Sequence, residues 1–300
     1  MTRAALTHQA VLWSHWLTAV RPATLSAAVT PVLVGAAVAG AEDRFRPLVF
    51  VATVAAAVLI QIGTNLANDL FDFERGADTS ERLGPQRVTQ SGLIAAEQVR
   101  LGTFVSFGAA AAIGLYLMFV GGWPILAIGV LAIAAGVAYT GGPWPLGYHG
   151  LGDLMVFTFF GLVAVVGTYY LQAETVSAAA VLAAVPVGLL VTAILVVNNL
   201  RDVETDRQAE KRTLAVRLGE RSTRFQYALL VLGPYACVPT LLFVDVAAWV
   251  WLSWLTLPVA LAMSRSVLLG ASGHALNPIL KRTAQLHLVF GSLLALGLLL

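Results

Sequence analysis

The 300-residue sequence carries little charge and almost no cysteine. Only 11% of its residues are Asp, Glu, Lys or Arg, about half the share found in soluble globular domains. The single cysteine, Cys237, excludes an internal disulfide and a metal centre built on several cysteines. Hydrophobic residues make up 58% of the chain and the mean hydropathy is +0.81, which excludes the soluble globular class as well.

The chain contains long apolar stretches, which recur from one end to the other. About 20 apolar residues allow a helix to cross a hydrocarbon core roughly 30 Å thick. The sequence therefore predicts an all-α membrane bundle of nine transmembrane helices, folded as a single domain over residues 1–300. The predicted helices cover 22–40, 47–70, 99–121, 123–140, 153–171, 178–200, 224–243, 246–264 and 283–300.

The basic residues are distributed unevenly between the two sides of this predicted bundle. Of the 18 Lys and Arg residues, all except Arg44 and Arg46 lie in the N-terminal segment, in alternate loops, or at the helix ends beside those loops. Positively charged loops mark the cytoplasmic side of a membrane protein. We therefore expect a multi-pass protein of the cell membrane, with its N-terminus in the cytoplasm and its C-terminus outside.

Two clusters of Asn and Asp residues each end a long apolar run on the predicted cytoplasmic side. The first is the segment 68–72, Asn-Asp-Leu-Phe-Asp, and the second is the segment 198–206, Asn-Asn-Leu-Arg-Asp-Val-Glu-Thr-Asp. Ionisable groups in such places are costly unless they serve a site. Within each cluster two aspartates are three or four residues apart, so they share one face of a helix. Two such faces brought together would present hard oxygen ligands, which suit Mg²⁺ completed by substrate phosphates.

Basic residues follow both acidic clusters. Arginine side chains match the geometry of phosphate oxygens. The chain thus places acids that hold a metal ion, and bases that hold phosphate, at the mouth of an apolar bundle. This arrangement indicates an amphiphilic substrate with a diphosphate head and a lipid tail. The basic residues concerned are Arg75, Arg82, Arg87, Arg201, Arg207, Lys211, Arg212 and Arg217.

Several stretches of the chain resemble the UbiA superfamily of intramembrane prenyltransferases. The segments 68–72 and 202–206 are similar to the two aspartate-rich motifs of that family. More narrowly, the chain resembles the MenA branch, which prenylates 1,4-dihydroxy-2-naphthoate in menaquinone synthesis. In that branch the third acid of the first motif stands at the position of Asp78, as it does here. Other members of the superfamily carry this acid at the position of Gly76. The resemblance rests on 21–25, 63–69, 84–92, 139–143, 147–148, 150–153 and 198–219.

The resemblance implies a reaction between polyprenyl diphosphate and 1,4-dihydroxy-2-naphthoate that gives demethylmenaquinone, CO₂ and diphosphate. It also implies Mg²⁺ as the cofactor. The expected catalytic residues are Asp69, Asp72, Asp202 and Asp206, and the expected metal ligands are these four and Asn68. The expected diphosphate-binding residues are Arg75, Arg87, Arg201, Lys211 and Arg212, and the candidates for control of the acceptor or of the carbocation are Arg21, Asn65, Tyr139 and Asp153. Whether Asp78 and Glu204 also bind the metal ion is left open by the sequence.

Two alternatives remain on sequence alone. One is another UbiA-type prenyltransferase, with a different donor such as phytyl diphosphate or with a different aromatic acceptor. The other is a cation- or proton-coupled transporter, which would also need carboxylates within the membrane. A transporter, however, predicts acids near the middle of the spans rather than at helix ends beside arginines.

Two further expectations follow. The lipid bilayer is the expected environment, and no nucleic-acid partner is expected. The small residues at 108–113 predict close packing between helices.

Overall fold

The computed structural model describes residues 13–77, 83–244 and 246–300. Every element of secondary structure within those ranges is helical. Within the described residues, eight helices are long and apolar enough to span a membrane, and the segment Trp123–Ala138 is a shorter apolar helix. In chain order the helices are α1 (Pro22–Ala41), α2 (Pro47–Glu74), α3 (Ala96–Gly121), α4 (Trp123–Ala138), α5 (Gly152–Ala173), α6 (Ala178–Arg201), α7 (Leu214–Val244), α8 (Ala248–Leu268) and α9 (Gly273–Leu299).

The predicted boundaries lie within a few residues of these helices except at the polar ends of α7 and α9. The sequence predicts starts at residues 224 and 283, whereas the helices begin at Leu214 and Gly273. The additional turns carry charged residues, so the apolar pattern does not include them. Gly219 lies within the first turns of α7, and its φ of 77° interrupts the helix there. Glycine adopts this conformation without a steric penalty.

α6 lies at the centre of the bundle. The most apolar window of α6 is 72% buried inside the protein, against 28% for α2 and for α3, which therefore present most of their surface to the surroundings. Glycines allow the close approach of α5 to α6: a Cβ atom added to Gly161 would lie 2.6 Å from Cα of Gly188. Small residues permit this kind of backbone contact between membrane helices.

An apolar cavity of about 560 Å³ lies among α1, α2, α3, α4 and α5. Tyr139 and Met155 line the end near the C-terminus of α2, and Leu117 and Leu171 line the opposite end. A π-helical stretch of α5, Phe157–Val163, supplies aromatic side chains to one wall. The cavity therefore runs along the bundle from one polar boundary toward the other.

The small residues of α3 help to form this cavity. The sequence predicts that 108–113 pack closely against another helix, but a Cβ atom added to Gly108 would meet no atom within 4 Å. Short side chains here leave space where larger ones would fill it. Leu115 and Val130 line the cavity and are 53% and 58% exposed, so the cavity opens sideways at the surface of α3 and α4.

Candidate active site

The first acidic cluster occupies the last turns of α2, where Asp69 and Asp72 are almost fully buried. Oδ1 of Asp69 accepts a hydrogen bond from the backbone N–H of Thr89 at 3.0 Å, and Oδ2 accepts one from the N–H of Val88 at 3.3 Å. Nη2 of Arg21 lies 3.9 Å from Oδ2 of Asp69. The segment that follows α2 thus folds back over the cluster and holds Asp69 with backbone donors.

Among the described residues, three side chains from different parts of the chain contact the carboxylate of Asp72. Its Oδ2 atom is 3.0 Å from Nη2 of Arg87 and 3.7 Å from Nζ of Lys211, and its Oδ1 atom accepts a hydrogen bond from the Tyr148 hydroxyl at 2.8 Å. Burial of a carboxylate is tolerated when cations and donors compensate for lost hydration. Lys211 follows the second acidic cluster in the sequence, so its contact with Asp72 joins the two clusters.

The second cluster ends α6, and Arg201 forms its centre. The guanidinium binds both carboxylate oxygens of Asp202, at 2.8 Å through Nε and 2.6 Å through Nη2. It also donates to the side-chain oxygens of Asn198 and Asn277, each at 2.9 Å. Arg201 is 3% exposed, and these bonds use four of the five N–H donors of an arginine. In this conformation protein groups occupy these four donors, and diphosphate binding by Arg201 stays a prediction.

The other acids of the second cluster have separate positions. The carbonyl of Asp206 accepts a hydrogen bond from the N–H of Lys211 at 2.8 Å, and this bond fixes the turn that carries the lysine. Glu204 is exposed and forms an ion pair with exposed Arg207 at 2.6 Å, so it points away from the buried carboxylates. Two residues considered in the sequence, Asp78 and Arg82, lie outside the described residues.

Two basic side chains lie against the ring of Tyr148, whose hydroxyl binds Asp72. Cζ of Arg75 lies 5.5 Å from the centre of the Tyr148 ring, and Nζ of Lys211 lies 5.1 Å from it. Both distances fall within the range of cation–π attraction. Arg75 also donates to the carbonyl of Gly142. Of the predicted diphosphate ligands, Arg87 and Lys211 contact Asp72 and Arg75 contacts the ring of Tyr148, whereas Arg212 is exposed.

Tyr139 lies where the charged cluster meets the apolar cavity. Burial raises the pKa of the Tyr139 hydroxyl, and the carboxylates of Asp153, Asp206 and Asp72 raise it further. Asp153 is 9% exposed and accepts a hydrogen bond from Nε2 of Gln226 at 2.6 Å, which connects the start of α5 to α7.

Asn65 and Asn68 connect the first cluster to its surroundings. The amide nitrogen of Asn65 donates to the carbonyl of Val20 at 2.8 Å and to the hydroxyl of Thr24 at 2.9 Å, which holds the beginning of α1 against α2. Oδ1 of Asn68 accepts a hydrogen bond from the hydroxyl of Thr140 at 2.8 Å. Asn65 thus has a packing role in this conformation, and Asn68 faces the segment after α4.

Several residues of this site were absent from the candidates that the sequence supplied. Backbone N–H groups leave no trace in a side-chain pattern, and single polar residues in remote segments show no spacing. Gly84, Val88, Thr89, Thr140 and Tyr148 stand in stretches that carry the family resemblance, and this was the available signal for them. The residues are Gly84, Val88, Thr89, Thr140, Tyr148, Gln226 and Asn277.

The predicted metal ligands present only oxygen donors, which suit a hard divalent cation. Asp69, Asp72 and Asp202 are buried at the same end of the bundle, and each lies beside an arginine. In the part of the chain that the structure describes, no three His, Cys, Asp or Glu side chains converge on one point. The donor chemistry fits a divalent cation, while in this conformation arginine and lysine neutralise the carboxylates.

Comparison with known proteins gives consistent matches. A model of the UbiA prenyltransferase family matches residues 28–289. A 1,4-dihydroxy-2-naphthoate octaprenyltransferase of Escherichia coli (strain K12) is 39% identical over 293 residues, which are 94% of this chain and 94% of that protein. A protein of the same name from Mycobacterium tuberculosis is 38% identical over 281 residues, 93% of this chain and 94% of that one. The fold resembles a solved UbiA homologue from Archaeoglobus fulgidus bound to GPP and Mg²⁺, with a TM-score of 0.64, 14% identity, and coverage of 93% of this chain and 99% of that chain.

Proposed function

Since this chain belongs to the UbiA prenyltransferase family, we propose that it transfers a polyprenyl group from polyprenyl diphosphate to 1,4-dihydroxy-2-naphthoate. The reaction belongs to menaquinone biosynthesis. Diphosphate leaves the prenyl carbon and the naphthoate carboxyl leaves as CO₂, so the ring keeps its oxidation level. The product is a prenylated naphthoquinol, whose oxidation gives demethylmenaquinone. The acceptor is supported by the names of the relatives with 38% and 39% identity.

The observation that carries this proposal is that the charged cluster adjoins the apolar cavity. Tyr139 lines the cavity, its carbonyl accepts a hydrogen bond from the N–H of Gly147 at 2.9 Å, and the next residue, Tyr148, donates to Asp72 at 2.8 Å. A prenyl diphosphate has the same two parts, an anionic head and an apolar tail. The cavity offers apolar surface to the tail, which packs there by van der Waals contact as it does against lipid. A cation transporter would have no use for an apolar cavity of about 560 Å³.

Arg75, Arg87 and Lys211 are the residues proposed to bind the diphosphate, with Arg212 at the rim. The first three lie around Asp72 and Tyr148, where hydrogen bonds and ring contacts fix their positions before the substrate arrives. Fixed cations stabilise the negative charge that develops on a leaving group, and they do so without reorganisation during the reaction. These side chains therefore stabilise the diphosphate as it leaves the prenyl carbon.

We propose Mg²⁺ as the cofactor. The residues that would hold it, directly or through water, are Asn68, Asp69, Asp72, Asp202 and Asp206. Support comes from their oxygen donors and from the similar fold that was solved with GPP and Mg²⁺. When bound, Mg²⁺ would neutralise the negative charge of the diphosphate. Lys211 and Arg87, which now neutralise Asp72, would then be available to the phosphate oxygens.

The remaining candidates would act on the carbocation and on the naphthoate. The walls of the cavity keep water away from a cation formed at its end. The ring of Tyr139 lies at that end and would stabilise the cation through its π face. Asp153, held by Gln226, would accept a hydrogen bond from a ring hydroxyl. Arg21, beside Asp69 and one residue before α1, would meet the carboxylate of the acceptor, and Asn65 positions this arginine by holding the preceding turn.

We further propose that all the helices from α1 to α9 cross the cell membrane as one domain, residues 1–300, with the site on the cytoplasmic side. The 16 residues of α4 would extend about 24 Å at 1.5 Å per residue, about 6 Å less than the hydrocarbon core, and local thinning of the bilayer accommodates such a difference. The site lies at the ends of α2 and α6, beside the loops that hold most of the basic residues. An N-terminus in the cytoplasm and a C-terminus outside follow from this arrangement.

The test is conversion by the purified protein in lipid nanodiscs. We would offer polyprenyl diphosphates of several lengths, phytyl diphosphate, and a panel of aromatic acceptors, each with Mg²⁺ and with EDTA, and identify products by mass spectrometry. The expected result is Mg²⁺-dependent, decarboxylative prenylation of 1,4-dihydroxy-2-naphthoate. Prenylation of another acceptor would replace the proposed substrate and keep the enzyme class. An absence of any prenylated product, together with cation flux in proteoliposomes, would favour the transporter.

A further inference from the structure

Arg201 and Asn277 connect the second acidic cluster to the segment that covers the first. Nη1 of Arg201 donates to Oδ1 of Asn277 at 2.9 Å. The amide nitrogen of Asn277, in turn, donates to the carbonyl of Leu83 at 3.0 Å. This path leads from the end of α6, through the first turns of α9, to the segment after α2. We call the three residues Leu83, Arg201 and Asn277 the clasp.

Gly84 provides a second contact between the same two parts of the chain. A Cβ atom added to Gly84 would lie 2.6 Å from Nη2 and 2.9 Å from Cζ of Arg201, so the backbone of Gly84 packs directly on the guanidinium. The guanidinium cannot move aside, since Asp202 and Asn198 also hold it. The position of the chain at Gly84 is therefore set by a buried arginine from the second cluster.

A short, stiff spacer joins this contact to the active-site donors. Only Pro85 and Gln86 separate Gly84 from Arg87, and the proline ring restricts both its own φ and the residue before it. Arg87 binds Asp72, and the next two backbone N–H groups bind Asp69. A displacement at Gly84 would therefore be passed on to these three donors, because Gln86 is the one residue between them whose φ and ψ the proline leaves unrestricted.

From these contacts we infer that Arg201 and Asn277 are positioning residues, which use the clasp to hold segment 83–89 over α2 and so place Arg87 for the prenyl diphosphate. Arg201 thus acts through Asp202 and the segment. The expected kinetic effect, a higher KM for the prenyl diphosphate, rests on the proposed function. The structural consequence, ordering of segment 83–89, is independent of which substrate is used.

The test combines amide hydrogen exchange with kinetics on the full-length protein in nanodiscs. Asn277→Leu removes both bonds of the clasp. Asn277→Asp keeps an oxygen acceptor for Arg201 and loses the donor to Leu83. Gln285→Leu is the matched control, since it removes an exposed amide side chain from the same helix. Exchange is followed in peptides that contain residues 87–89, with peptides from the centre of α6 as an internal reference.

We expect Asn277→Leu to speed exchange at 87–89 while the reference peptides stay unchanged. The same variant should raise KM for the prenyl diphosphate about tenfold, as is typical when a supporting hydrogen bond is lost, and leave KM for the naphthoate within about twofold. Asn277→Asp should also speed exchange at 87–89, because the bond to Leu83 is lost. Should the leucine variant not be recovered in folded form, the aspartate variant carries the same test.

The inference is overturned if both Asn277 variants exchange like the control at 87–89, or if exchange rises equally in the reference peptides. It is also overturned if KM rises equally for both substrates. Faster exchange confined to 87–89, in a protein that never converts the naphthoate, would support the ordering of the segment and contradict the proposed function instead. The two failures are therefore distinguishable.

Discussion

Replacing Tyr148 with phenylalanine would remove one oxygen atom from the centre of the site and leave the aromatic ring in place. The hydroxyl donates to Oδ1 of Asp72 at 2.8 Å, and Asp72 is 2% exposed. A hydrogen bond to a charged group contributes about 1.5–3 kcal/mol. Since about 1.4 kcal/mol corresponds to a factor of ten in rate, we expect kcat/KM for the prenyl diphosphate to fall roughly 10- to 100-fold in Tyr148→Phe.

A second substitution separates the hydroxyl from the ring. Arg75 and Lys211 lie 5.5 Å and 5.1 Å from the centre of the Tyr148 ring, so Tyr148→Leu would also remove two cation–π contacts. Each such contact contributes about 0.5–1 kcal/mol at a partly exposed site. We therefore expect the leucine variant to lose roughly a further factor of ten, because Arg75 and Lys211 would no longer be held where the diphosphate binds.

The assay is steady-state turnover in nanodiscs with the prenyl diphosphate varied at saturating naphthoate. Tyr116→Phe is the matched control, since Tyr116 is 37% exposed on α3. Thermal unfolding of each variant shows whether a loss of rate comes from a loss of folded protein. The reasoning is refuted if Tyr148→Phe stays within about twofold of the unsubstituted enzyme, or if the phenylalanine and leucine variants are equally active.

Three further outcomes follow from the same geometry. Asp69→Asn and Asp202→Asn should each lower kcat at least about 100-fold in a folded protein; near-normal turnover in either would contradict the metal assignment. Ala132→Trp fills part of the cavity and should impair long polyprenyl diphosphates more than geranyl diphosphate, and an equal effect on both would place the tail elsewhere. Gly161→Ala brings a Cβ atom to 2.6 Å from α6 and should cost about 1–3 kcal/mol of stability, whereas Gly108→Ala meets no neighbour and should be near neutral, as thermal unfolding would show.

The acidic clusters and the helical class were accessible from the sequence because each leaves a local signal. Apolar runs of about 20 residues reveal membrane helices whatever their neighbours are. Aspartates three or four residues apart share a helical face, so Asp69 with Asp72, and Asp202 with Asp206, could be recognised without a structure. The polar starts of α7 and α9 left no such signal, because they lie beyond the apolar runs.

The partners of the charged groups depend on contacts between distant segments, and these the sequence does not reveal. Arg201 stands next to Asp202 in a basic stretch, and charge alone favours a phosphate ligand; only the fold shows that Asn277 and Gly84 complete its surroundings. Asn277 and Leu83 are 194 residues apart. Likewise, the donors to Asp69 are backbone groups, which any residue except proline could supply.

A crystal structure with Mg²⁺ and a non-reactive polyprenyl thiolodiphosphate would test the assignment of the site most directly. We expect the diphosphate to lie within hydrogen-bonding distance of Arg87 and Lys211, Mg²⁺ to be held by Asp72 and Asp202, and the first isoprene units to lie beside Tyr139 in the cavity. A diphosphate bound away from either aspartate, or a tail that lies outside the cavity, would contradict it.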